Sequence, residues 1–445
     1  MAFSRTRARL FLLFAIAAAA VSSVIPASRA YQPAIKVIYA GRLIDGVTNN
    51  VRTNVSIIIE GDRFREVRDG RADVWGAEII DLNDWTVMPG LIDCHTHLTM
   101  QLGRDQLLQS LIRRKSDTAI AATAYARRTL LAGFTTVRDV GADGFVDVSL
   151  RDAINAGTVP GPRMFVAGEL LTITGGHGDA GGIREDLLPE PDYRNGVVNT
   201  PEDGVRAVRY MVKYGADHIK LAATGGVLSI ADSGSGEQLT YEEMKAIVDT
   251  ARQLDRKVAA HAHGAAGMKN ALRAGVASIE HGSYIDDEAI SLFQKTGAYL
   301  VPTIIAGKTV ESAAKVPGFF PPAIEAKART IGPLIQAAFG RALRGGVKIA
   351  FGTDAGVYPH GRNAGEFEYM VQAGMRPIDA ILSATRSAAD LIGQPQNIGS
   401  VQAGRFADIV AVKGDPLSDV RLLQDVGFVM KAGKVCKRDG KSALD

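Results

Sequence analysis

Eight short apolar runs, separated by segments of helical periodicity, constrain this chain more than any other feature. They are "VMPGLIDCHTHL", "GFTTVRDVG", "PRMFVAG", "DHIKLAA", "KVAAHAHG", "VASIEHG", "AYLVPTII" and "VKIAFGTDAG". Each is apolar enough to be buried on both faces, as parallel strands covered by helices must be. Helical patterns fill the gaps, such as "DTAIAATAYARRTLLA" before the second run, "YEEMKAIVDTARQL" before the fifth and "AAGMKNALRAG" before the sixth. This alternation predicts an α/β chain whose residues 88–394 form a (β/α)8 TIM barrel.

The two ends have a different character. "IKVIYAGRLIDG", "VSIIIEGDRFREV" and "AEIIDLNDWTVMPG" are β-rich runs broken by Gly, Asp and Asn, and "FADIVAVKGDP" and "DVGFVMKAGKVCK" are their counterparts near the C-terminus. Residues 31–87 and 395–445 are therefore expected to form one composite β-sandwich domain into which the barrel is inserted. Residues 1–30 place Arg5, Arg7 and Arg9 before "LFLLFAIAAAA" and small residues at Ser28 and Ala30, the pattern of a signal peptide cleaved near Ala30. A secreted or periplasmic mature chain follows. The apolar run is too short and too poorly flanked to favour a membrane span, so no stable membrane insertion is expected. Losing four arginines and no acidic residue lowers the formal charge from +3 to −1, which leaves no basic footprint for nucleic acid. Cys94 and Cys436 are too few for a disulfide framework.

The chemistry lies at the C-terminal ends of the predicted strands, which ring one mouth in a barrel of this kind. His95 and His97 end the first strand, and their spacing of two puts both on one face. Lys220 ends the fourth strand, His261 and His263 the fifth, His281 the sixth and Asp354 the eighth. Singly, each has an ordinary reading as a turn former, a solvated cap or a hydrogen-bonded histidine. Together, imidazoles and a carboxylate converging from several strand ends suit zinc or a similar divalent ion. The loop after the third strand, "TITGGHGDAGGIREDLLPEPDYRNG", is long enough to be functional and carries His177; His360 follows the eighth strand in "PHGRN". His218 reads as a packed histidine. Arg163, Arg184 and Tyr241 could recognise a carboxylate, but their spacing selects none of them. Cys94 should point away from His95 and the mouth, as a structural thiol.

In this order, "PGLIDCHTH", the lysine of "HIKLAATGG", "HAHG", "SIEHG" and "FGTDAG" resemble the metal-dependent amidohydrolase superfamily. Within it, "HAHGAAGMKNALRAGVASIEHGSYID" and "YPHGRNAGEFEYMVQAGMRPIDAI" resemble the imidazolonepropionase-like branch that holds Xaa-Pro dipeptidases and zinc-dependent carboxypeptidases; ochratoxin-hydrolysing amidases are similar too. The resemblance implies two divalent ions, zinc by default. His95, His97 and Asp354 would hold one, His261 and His281 the other, and Lys220 would bridge them as a carbamate formed with carbon dioxide. It gives the ligand role to His261, the first residue of its "HA" pair, and leaves His263 either to support a ligand or to contact the substrate. His177, His263 and His360 become candidate substrate contacts, with His177 or His263 also steadying an oxyanion. Asp354 becomes the proton carrier for attack by a metal-bridging hydroxide. The implied activity is hydrolysis of a peptide or N-acyl amino-acid bond with release of the C-terminal residue. The alternative is a non-peptide amide, carbamate or urea, including an ochratoxin-type aryl amide. A small-molecule or short-peptide substrate is the expected partner, and a homo-oligomer is allowed.

Overall fold

The structure is a computed structural model and describes residues 34–444 except 180, 185, 231 and 232. The expected signal segment, residues 1–30, lies outside the described residues. Among the described residues no helix is long and apolar enough to cross a membrane.

The N-terminal part contributes β1 (Ile35–Ile44), β2 (Val51–Glu60), β3 (Arg63–Asp69) and β4 (Glu78–Pro89). Eight short strands follow: β5 (Leu91–Thr96), β6 (Phe134–Asp139), β7 (Arg163–Val166), β8 (Ile219–Ala222), β9 (Val258–Ala262), β10 (Ser278–His281), β11 (Tyr299–Val301) and β12 (Lys348–Ile349). The C-terminal part adds β13 (Ile409–Lys413), β14 (Phe428–Lys431), β15 (Lys434–Arg438) and β16 (Lys441–Ser442).

The two ends of the chain do join. The strands of both ends pair in one eight-stranded sheet in the order β16-β15-β14-β13-β4-β1-β2-β3. The physical reason is the length of β4, whose last residues pair on both sides. Thr86 faces Arg42 of β1 and Val412 of β13, and Val87 faces Leu43 and Ala411. One strand thus carries the ladder from the N-terminal strands to the C-terminal ones. Where β1 runs parallel to β4, the register shifts between Ala40 and Arg42. The residue between them must be glycine, because a Cβ on Gly41 would sit 1.7 Å from the Asn83 carbonyl oxygen. One face of this sheet buries Ile38, Leu43, Ile57, Ile59, Val87, Ile409 and Phe428 in a core of its own.

All eight apolar runs form strands. β5, β6 and β7 make a three-stranded parallel sheet, and β8 to β12 a five-stranded parallel sheet. Main-chain bonds link the two at both edges. Asp217 N donates to Val166 O at 2.7 Å and Leu171 N to Lys220 O at 2.9 Å on one side, and Cys94 N donates to Phe351 O at 2.9 Å on the other. The predicted helices are present at Lys115–Leu131, Tyr241–Gln253 and Ala265–Ala274. Thr240 and Glu243 form a capping box at the start of the second, and Gly275 ends the third in the left-handed conformation. Their apolar stripes, including Ile247, Val248, Ala251, Met268 and Leu272, bury against Ile219, Leu221, Ala260 and Ile279 of the strands. Each buried Ile, Val, Leu or Met among them contributes about 1.5–3 kcal/mol relative to exposure. The result is a TIM-barrel-like α/β fold whose strand ends bring His95, Lys220, His261 and His281 toward one cavity.

Candidate active site

β5 is buried along its whole length. Ile92 and Cys94 pack into one apolar cluster and Leu91 into another, so the strand is anchored before it reaches His95. Asp93 fixes its end. One carboxylate oxygen accepts from His95 N at 3.0 Å and Thr353 N at 3.1 Å, and the other from Thr353 Oγ1 at 2.6 Å and Asn363 Nδ2 at 2.7 Å. This ties the histidine strand to the segment that carries Asp354. Asp354 has φ 59° and His281 φ 72°. Such left-handed residues cost about 1–3 kcal/mol unless the surroundings impose them. Here Asp354 N donates to His95 O at 2.8 Å, and Gly282 N, just past His281, donates to Ala262 O at 3.0 Å.

Hydrogen bonds set the tautomers. His97 Nδ1 lies 3.0 Å from Gly141 O and His261 Nε2 lies 3.0 Å from Gly225 O. A carbonyl only accepts, so those nitrogens carry the hydrogen and the opposite ones keep lone pairs. His95 Nδ1 likewise donates to Glu280 Oε2 at 2.8 Å. Glu280 is in turn held by Arg138 Nη2 at 2.9 Å and Ser278 Oγ at 2.5 Å. The Nε2 atoms of His95 and His97 both lie 3.5 Å from Asp354 Oδ1. His281 Nδ1 is 2.7 Å from Thr303 Oγ1, and His263 Nδ1 is 2.7 Å from Ser283 Oγ. Partners of this kind orient metal-binding histidines. Burial pushes the ring of His97 down to about 4 and those of His177 and His263 to about 3. All three stay neutral near pH 7, the form in which an imidazole nitrogen keeps a free lone pair.

A cavity of about 250 Å³ is lined by His95, His97, His177, Lys220, His261, His263, His281 and Asp354. Two sets of donor atoms within it are close enough to hold a cation: His261, His263 and His281, and His95, His281 and Asp354. Lys220 Nζ is buried with no hydrogen-bond partner among the described residues. Burial lowers its pKa to about 8. An orphaned amine close to its neutral form, beside neutral imidazoles and a carboxylate, fits a lysine converted to an anionic ligand between cations.

His177 also reaches the cavity. Its ring stacks on His261 with centroids 4.1 Å apart, and its buried Nδ1 has no hydrogen-bond partner among the described residues. Gly226 allows this, since a Cβ there would meet His177 Cε1 at 2.1 Å. His360 does not line the cavity. It stacks on Tyr125, and its Nε2 donates to Met100 O at 2.7 Å, so the turn after the last strand directs it toward the chain segment following His97. The other carboxylate candidates also lie off the cavity. Arg163 pairs with Asp408, Arg184 is exposed beside Asp186, and Tyr241 starts a helix. His218 is buried, with neither ring nitrogen bonded among the described residues. Cys94 packs near Ala388 away from the cavity, and burial pushes its thiol up. Sequence reasoning missed Glu280, Arg138 and Asp93, although charged residues inside apolar strands are themselves a signal that a partner exists.

The Amidohydrolase family profile matches residues 86–436. The crystal structure of a Xaa-Pro dipeptidase with methionine bound in its active site superposes with a TM-score of 0.88 at 45% identity, covering 91% of this chain and all (100%) of that one. A prolidase complexed with N-methylphosphonate-L-proline superposes with a TM-score of 0.83 at 33% identity, covering 91% and 100%. Ochratoxinase from Aspergillus niger is 32% identical over 436 residues, covering 91% of this chain and 87% of the fungal protein. Donor clusters of the kind found here are compatible with the divalent metals that this family generally binds. The chain belongs to the amidohydrolase family and is a hydrolase acting on amide bonds.

Proposed function

We propose that this protein is a binuclear metal-dependent amidohydrolase that cleaves a peptide or N-acyl amino-acid bond and releases the C-terminal residue. The observation that carries the reading is Lys220 Nζ, buried without a hydrogen-bond partner among the described residues and lining one cavity with six histidines and Asp354. His95, His97 and Asp354 would hold one ion and His261 and His281 the other, with Lys220, as its carbamate, between them. Closure of β5 to β12 into a full (β/α)8 barrel, supported by the bonds at both sheet junctions, brings these strand ends together. Residues 88–394 would be its span, flanked by the composite domain of 31–87 and 395–445. The bound ions, zinc by default, supply Lewis acidity for the scissile carbonyl and acidify a water molecule.

The chain's own residues do the rest. Asp354 accepts a proton and passes it to the leaving amine. His177 Nδ1 and His263 Nε2 would hydrogen-bond the carbonyl oxygen or the substrate carboxylate. Val227, Leu228, Val310 and Ile335 form an apolar wall that suits the side chain of the released residue and excludes water. The neighbours with methionine or a proline phosphonate bound support an amino-acid product. The likeness to ochratoxinase supports a second reading, hydrolysis of an aryl amide to a free amino acid. The N-terminal segment supports action outside the cytoplasm. Incubating the metal-loaded protein with Xaa-Pro dipeptides, N-acyl amino acids and ochratoxin, then quantifying amino acids, tests both. Release from dipeptides supports the first reading, release from ochratoxin alone the second, and no amino acid from any of them refutes both.

A further inference from the structure

Resting on the binuclear reading, we propose that one segment outside the cavity, "NAGE" at residues 363–366, positions both ion sites: Asn363 braces ligands of the first ion, and Glu366 braces His281 of the second. The segment follows the eighth strand, and none of its residues lines the cavity. Asn363 and Glu366 are nevertheless fully buried. Polar groups held in an apolar interior must find partners there. Ala364 and Phe367 seat the segment in the main core, where the ring of Phe367 packs on Phe351 with centroids 4.3 Å apart.

The two polar side chains reach different ligands. Asn363 Nδ2 donates to Asp93 Oδ2 at 2.7 Å. It completes the set of donors, His95 N, Thr353 N and Thr353 Oγ1, through which Asp93 joins the main chain of His95 to the residue preceding Asp354. Glu366 works on the other side. Its Oε1 accepts from Ile304 N at 2.8 Å and its Oε2 from Ile305 N at 2.7 Å, two of the N–H groups left open at the start of the helix Ile304–Ala313. The residue before that helix is Thr303, buried and left-handed at φ 55°, a conformation that a β-branched residue seldom adopts unless it is held. Held there, Thr303 Oγ1 lies 2.7 Å from His281 Nδ1. A His281 that offers Nε2 to a cation donates from Nδ1, so the hydroxyl oxygen fixes both tautomer and ring orientation.

The variants separate the two arms. Thr303→Val removes the hydroxyl and keeps the branched shape. Glu366→Gln keeps the shape of the side chain but turns an NH2 group toward one of the two N–H groups, which undoes that half of the cap. Asn363→Leu removes the donor to Asp93. The test is cobalt(II) titration of metal-free full-length protein, read by visible absorption and by bound metal. Wild type should take up about two ions per chain. Thr303→Val and Glu366→Gln should weaken one of them about 10–100-fold, the same ion that His281→Ala loses, and Thr303→Ser should restore it. Asn363→Leu should weaken the other ion. Both ions weakened alike by every variant, or unchanged affinities in folded Thr303→Val protein, overturns the proposal and leaves the function intact. Wild-type protein that takes up fewer than two ions overturns the binuclear reading and the proposal with it. Should Glu366→Gln or Asn363→Leu not fold, the Thr303→Val and Thr303→Ser pair, compared with His281→Ala, decides.

Discussion

Replacing Glu280 with Gln separates the charge from the shape of the group that holds His95. Glu280 is fully buried and joins three partners: His95 Nδ1 at 2.8 Å, Arg138 Nη2 at 2.9 Å and Ser278 Oγ at 2.5 Å. Arg138 is itself buried, and keeps only Cys94 O at 2.6 Å and Ser278 Oγ at 3.0 Å when the carboxylate is gone. Removing one partner of a buried ion pair costs about 3–5 kcal/mol, and the remaining neutral acceptor places Glu280→Gln near the lower end. Loss of the orienting bond to a histidine ligand lowers metal affinity roughly 10–100-fold. Urea unfolding with near-ultraviolet circular dichroism measures the first effect, and zinc competition against a fluorescent chelator the second. A variant within about 0.5 kcal/mol of wild type, a range typical of surface changes, with zinc affinity unaltered, would refute the idea that Glu280 positions His95.

Gly226→Ala should mimic loss of His177. The new methyl at 2.1 Å from Cε1 expels the ring, and we expect kcat to fall by about 100–1,000-fold in the folded, metal-loaded variant, by the usual scale of one donor to developing charge. Apo-protein should take up isotopically labelled carbon dioxide at Lys220 more readily as pH rises from 7 to 9. Only the neutral amine reacts, and its lowered pKa of about 8 puts the gain in that window; carbon-13 NMR reads it, and Lys220→Arg should show no signal. Cys94 should resist thiol reagents in the native state and react only after unfolding, since it is buried and its thiol is held in the protonated form.

The strands were legible because apolar runs buried on both faces have few other readings. His95, His97, Lys220, His261, His281 and Asp354 could be placed on one wall because the C-terminal ends of parallel strands converge. Other parts depend on information that spacing does not hold. Strict alternation puts Glu280 and His281 on opposite faces, yet both approach His95, because the positive φ at His281 turns its side chain back. The pairing of Arg138 with Glu280 spans two strands far apart in sequence. The single mixed sheet arises from β4 pairing on both sides, a long-range choice that turn residues do not encode. His360 is directed to Met100 by loop conformation rather than by any strand end.

Metal content measured against activity decides whether two bound ions drive the hydrolysis. Purified full-length protein should carry about two divalent ions per chain, and Lys220→Ala should lower both that content and amide hydrolysis while remaining folded. Amide hydrolysis that persists at the full rate in protein stripped of metal would contradict the account.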